Sequence, residues 1–101
     1  MTADAAFQRL HAGDPVGALA LLDAAGSPDT LDIGQLVASG IVQLANQRPA
    51  QALVALRTAV ALGETAPATL LNLALAELQA GDTARAFRLM QGLEQHLPGW
   101  G

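Results

Sequence analysis

Three segments of the chain recur at one fixed interval, and no other feature constrains the fold as tightly. Gly13-Asp14-Pro15-Val16-Gly17-Ala18-Leu19, Gln47-Arg48-Pro49-Ala50-Gln51-Ala52-Leu53 and Gly81-Asp82-Thr83-Ala84-Arg85-Ala86-Phe87 align without a gap. The register extends both ways. Ala6 with Leu10, Gly40 with Leu44 and Ala74 with Leu78 precede the segments; Leu22 with Ala25, Leu56 with Ala59 and Met90 with Leu93 follow them. A fixed period of roughly 20–50 residues marks stacked supersecondary units, none of which can bury its apolar face alone.

Each unit reads as two helices and a turn. In the first, a helix over about residues 2–12 ends at Gly13, which suits a left-handed C-terminal residue. Asp14 is then the N-cap of the next helix and Pro15 its first position, with Gly26-Ser27-Pro28 as the stop after Ala25. The second unit predicts helices near residues 31–46 and 49–62, ended by Gly63; its turn, Gln47-Arg48-Pro49, is the weaker cap. The third predicts helices near 66–80 and 83–97, ended by Pro98-Gly99. Ala18, Ala52 and Ala86 sit where the second helix of each unit crosses the first, and Ala6, Gly40 and Ala74 answer them from the other side. Small residues there let two backbones approach.

Composition agrees with an all-α chain. With 101 residues there is room for a single domain, 1–101, with repeats at roughly 1–32, 33–66 and 67–101. Hydrophobic residues are 51% and charged residues 14%, the reverse of a disordered chain. The β-branched and aromatic residues that sheets favour are scarce. With no Cys, disulfides and thiolate zinc sites are excluded. A net charge of −4 argues against nucleic acid as a partner. The N-terminus lacks a basic, then apolar, secretory pattern, and no apolar run is long enough to span a bilayer. A cytoplasmic protein is the expectation.

This pattern resembles the tetratricopeptide repeat (TPR) family, whose unit is a helix–turn–helix of about 34 residues. Ala6, Gly40 and Ala74 match its small residue at position 8, and Ala18, Ala52 and Ala86 its Ala at position 20. Leu22/Ala25, Leu56/Ala59 and Met90/Leu93 fill positions 24 and 27, and Pro98 provides the Pro at 32. The aromatic at position 11 is replaced by Arg9, Gln43 and Glu77, and that at position 4 by Thr2, Leu36 and Leu70. The resemblance implies a right-handed α-solenoid of three repeats, six antiparallel helices in all.

It also implies a site. Family members bind partners on a concave surface lined by the first helix of each repeat. Mapped here, that surface includes Phe7, Val37, Ile41, Leu71 and Leu75, with Asn72 as the one suitable amide. It lacks the Lys and Arg of a carboxylate clamp and suits an apolar or amphipathic helix or segment. The same aliphatics at helical spacing read equally well as core. Leu10, Leu44 and Leu78 read as core outright. The last helix carries a further stripe, Phe87, Met90, Leu93 and Leu97, followed by Trp100. Uncovered, that stripe would drive self-association into a homodimer.

No catalytic constellation is present. His11 and His96 lie in different repeats, with no second His or carboxylate at metal-ligand spacing. Asp14 and Asp82 read as N-caps; Arg57, Arg85 and Arg88 read as solubilising charge on outer faces. The net charge over residues 1–32 is −4, a solvated edge in one reading and a site for a basic partner in the other. The expectation is a non-enzymatic protein–protein interaction module, an adaptor or chaperone, with no cofactor, no metal, no nucleic acid and no membrane. The short run Leu44-Ala45-Asn46-Gln47 with Ala52-Leu53 looks similar to part of some small TPR chaperones of bacterial type III secretion. The alternative is the N-terminal scaffolding or dimerising TPR domain of a larger protein whose chemistry lies elsewhere.

Overall fold

The computed structural model describes residues 3–25 and 31–96, with the side chains of Ala3, Ala25, Gln95 and His96 left aside. Six helices and no strand occur among the described residues: α1 (Ala3–His11), α2 (Pro15–Ala25), α3 (Ile33–Ala45), α4 (Pro49–Ala61), α5 (Pro67–Gln79) and α6 (Thr83–His96). The chain is all-α.

The three intra-repeat turns share one backbone solution. Gly13, Gln47 and Gly81, equivalent positions of successive repeats, all take positive φ, at 79°, 60° and 91°. In each, the next amide reaches back five residues: Asp14 to the Arg9 carbonyl at 2.8 Å, Arg48 to Gln43 at 2.9 Å, Asp82 to Glu77 at 2.8 Å. This closes the helix end as a Schellman motif. Asp14 Oδ1 accepts from the Gly17 amide at 2.9 Å, and Asp82 Oδ1 from Arg85 at 3.3 Å. Arg48 makes no such side-chain cap, and Pro49 opens α4 instead.

The start of α3 carries a stronger device than the acidic edge expected there. Asp32 accepts from the Gln35 amide at 2.8 Å, while the Gln35 side chain accepts from the Asp32 amide at 3.0 Å. This capping box satisfies two free helix-end donors at once. Asp32→Ala should lower stability by about 1 kcal/mol, read by urea denaturation.

Successive helices pack as neighbours, and α1 touches α3 as α3 touches α5. Among the described residues α2 does not pack on α4, nor α4 on α6. Thus the first helix of each hairpin meets both helices of the preceding one. Ala18, Ala52 and Ala86 are fully buried, as are Ala6 and, almost fully, Ala74. One core cluster joins Ala6, Ala18, Leu19 and Leu22 to Val42 of α3. A second joins Leu44, Ala52 and Leu56 to Leu73 and Ala76 of α5. A third, Leu31, Leu36, Ala55 and Ala59, closes α3 on α4. Asn46 ties the first two hairpins together, its Nδ2 donating to the Pro15 carbonyl at 2.9 Å and to Val42 at 2.8 Å.

Three expectations are corrected. Leu78 is not core: it is 40% exposed, because no described helix follows to cover its side of α5. Leu93 is not part of an open stripe: it is 5% exposed. Arg57 is not a free solubilising charge: its Nη2 lies 3.5 Å from Oε2 of Glu77, a buried residue of α5. Leu97 and Trp100 lie outside the described residues.

Candidate functional site

The residues mapped to the concave surface fall on α1, α3 and α5, and none of them is fully buried. Phe7, Val37, Ile41, Leu71 and Asn72 are half-buried, and Leu75 is 47% exposed. They do not form one groove of equal character. Phe7 borders a shallow hollow with Asp4, Gln8 and His11, all from α1. Val37 packs against the third core cluster, so its share of core is the larger. The Asn72 amide donates to the Ala68 carbonyl one turn back, at 2.9 Å. Leu71 and Leu75 belong to an α5 stripe that continues to Leu78.

That stripe runs into an open apolar surface between α5 and α6. Leu78 of α5 and Thr83, Ala84, Phe87 and Met90 of α6 line a hollow of about 400 Å³. Phe87 is 64% exposed, and Met90 is half-buried. The internal repeat explains why this surface is open. Leu44, Leu53 and Leu56 are the counterparts, one repeat earlier, of Leu78, Phe87 and Met90, and they form or flank the cluster that Leu73 and Ala76 of α5 complete. Leu19 and Leu22 stand a further repeat back and pack with Val42 of α3. Each earlier hairpin is therefore covered by the first helix of the next; the third has no described counterpart.

A second, different cavity lies between α2, α3 and α4. It measures about 230 Å³, and Leu22, Leu31, Val54 and Ala55 give it apolar walls. Asp23, Ser39, Gln43 and Gln51 add polar groups. Gln43 is only 9% exposed, and its Oε1 is shut from solvent without a hydrogen-bond partner. A buried acceptor left unmet costs about 1–3 kcal/mol. Sequence reasoning missed it. The signal was the polar residue at the same register position in all three repeats, Arg9, Gln43 and Glu77.

Chemistry is otherwise sparse. His11 is exposed, its Nδ1 donating to the Phe7 carbonyl at 2.9 Å. The side chain of His96 lies outside the described residues. Among the described residues no three His, Cys, Asp or Glu side chains gather as a metal site. No described helix is long and apolar enough to cross a membrane. No family model, curated protein or solved structure matches the chain.

Proposed function

We propose that the chain is a non-enzymatic protein-interaction module, three TPR-like hairpins stacked as a right-handed solenoid, that docks an apolar or amphipathic helix of a partner protein. Three things support the solenoid: the matching turns at residues 13, 47 and 81, the contact of α1 with α3 and of α3 with α5, and the lack of contact between α2 and α4. In a solenoid each repeat leaves a face for its neighbour.

The observation that carries the function is the exposure of Leu78 and Phe87 where their counterparts are covered. The earlier junctions also say what fits there. The covering helix brings an apolar residue at one repeat position, Val42 in the first case and Ala76 in the second, with Leu73 three residues before Ala76. The docked helix accordingly presents small or aliphatic residues at i and i+3 on one face. The docking surface is the third-repeat part of the concave stripe, Leu71 and Leu75, extended over Leu78, Phe87 and Met90. The alternative, a scaffolding domain of a larger protein, rests on the same surface, which a further hairpin of that protein would then cover.

A direct test uses the chain's own covering helix as probe. A fluorescent peptide of residues 66–80 is titrated into the whole chain and followed by anisotropy. Saturable binding is expected, weakened at least tenfold by Phe87→Asp and little changed by Ile41→Asp. Because Phe87 stands largely in solvent, its replacement should leave the melting temperature nearly unchanged. Loss with Ile41→Asp alone would move the site to the face shared by α1 and α3. Absence of binding would end the helix-docking reading. Sedimentation of the unliganded chain checks whether a second copy occupies the surface, in which case Phe87→Asp converts a dimer to a monomer.

A further inference from the structure

The cavity between α2, α3 and α4 has an internal comparator one repeat on. Asp23 occupies the repeat position of Arg57, and Gln43 that of Glu77. At the α4–α5 junction the guanidinium of Arg57 reaches the buried Glu77 carboxylate at 3.5 Å. At the α2–α3 junction the counterparts are a carboxylate and a neutral carboxamide, and no cation among the described residues pairs with Asp23. The result is a cavity of about 230 Å³ with a carboxylate at its edge and the Gln43 side chain in its wall, whose buried carboxamide oxygen has no partner and is turned away from the open space.

We propose that this cavity receives an arginine side chain from a partner polypeptide, its stem against Leu22, Leu31 and Val54 and its guanidinium between Asp23 and Gln43. The apolar walls suit the three-methylene stem, which packs on hydrophobic surface while its head stays polar. A guanidinium carries donors in a fixed planar fork, so it can meet the carboxylate and the amide oxygen together. Recognition requires the Gln43 carboxamide to turn so that Oε1 faces the cavity, where the guanidinium would meet an acceptor that now has none. The absence of Lys and the local negative charge of α2 leave the site without an internal competitor close in sequence. This site is separate from the α5–α6 surface and does not depend on it.

The test is a titration of the isotopically labelled whole chain with the blocked tripeptide acetyl-Ala-Arg-Ala-amide, read by NMR chemical shifts. Saturable shifts are expected at the Gln43 side-chain amide, Ser39 and Val54. Asp23→Asn should weaken binding about tenfold, the loss of one charge-assisted hydrogen bond. The same peptide with citrulline in place of arginine should bind about tenfold more weakly. Gln43→Leu should weaken binding while keeping or raising the melting temperature, since it removes an unmet polar group. Shifts spread over Asp4, Asp32 and Glu64 and untouched by Asp23→Asn would overturn the site. Equal binding of the citrulline or lysine peptide would overturn guanidinium recognition. Tighter binding of free arginine than of the peptide would overturn the polypeptide source. All of these outcomes are independent of the helix-peptide titration.

Discussion

Truncating Leu56 to alanine should cost about 2–5 kcal/mol, toward the upper end of that range. Leu56 is fully buried and packs with Leu44, Ala52, Leu73 and Ala76, so α3, α4 and α5 all lean on one side chain. Two of those neighbours are alanines, too short to swing into the space left behind, so the cavity would persist. For a domain of this size total stability is on the order of 5–15 kcal/mol, and the loss is a large share of it. Gly40 gives the prediction a second arm. A Cβ at Gly40 would overlap Cγ and Cδ2 of Leu56, and a residue packed on all sides has little freedom to yield. Gly40→Ala should therefore destabilise the wild-type chain by about 1–2 kcal/mol, despite the gain of about 1 kcal/mol in helix propensity. In the Leu56→Ala background the same change should stabilise, because the methyl enters vacated volume. Urea denaturation of the four chains measures this coupling. Stabilisation by Gly40→Ala in both backgrounds would mean that α3 and α4 do not approach as closely as described.

The helices were legible in the sequence because their ends are set locally. Glycines and prolines at the turns, with Asp14 and Asp82 as caps, put four of the five first residues of α2 to α6 within one position of expectation. The exception is instructive. The expected start at Leu31 moves to Ile33 because Asp32 and Gln35 cap each other, a pairing visible as Asp-x-x-Gln but read only as charge. Gln47 takes the left-handed turn that Gly13 and Gly81 take, so the repeat's turn geometry prevails over the local preference of the residue. The candidate sites were less legible. Exposure of Leu78 and burial of Leu93 depend on what covers each end of the array, and a repeat register is silent about that. The cavity at Gln43 depends on side chains from three helices. Comparison of equivalent junctions could have found it, since Asp23 and Gln43 occupy the places of an ion pair one repeat later.

That ion pair carries the second large effect expected. Glu77 is 5% exposed, and Arg57 on α4 is the one cation described within salt-bridge distance of it. Removing Arg57 leaves a nearly buried carboxylate without its cation. The Arg57 side chain is 43% exposed, so part of the pair's attraction is already screened by water and the penalty falls below that of a fully buried pair. Arg57→Leu should destabilise by about 2–3 kcal/mol, the scale of losing a hydrogen bond to a charged group with the partner left behind. Arg57→Leu with Glu77→Leu should lie within about 1 kcal/mol of wild type, because no buried carboxylate is then left without its partner. The reverse pattern, a mild single variant and a severe double one, would show that Glu77 is satisfied by solvent and that the α4–α5 junction is looser than described. The comparison also bears on the α2–α3 junction. If a guanidinium matters this much where Arg57 supplies it, the equivalent place at Asp23 and Gln43 has the chemistry to hold one supplied from outside.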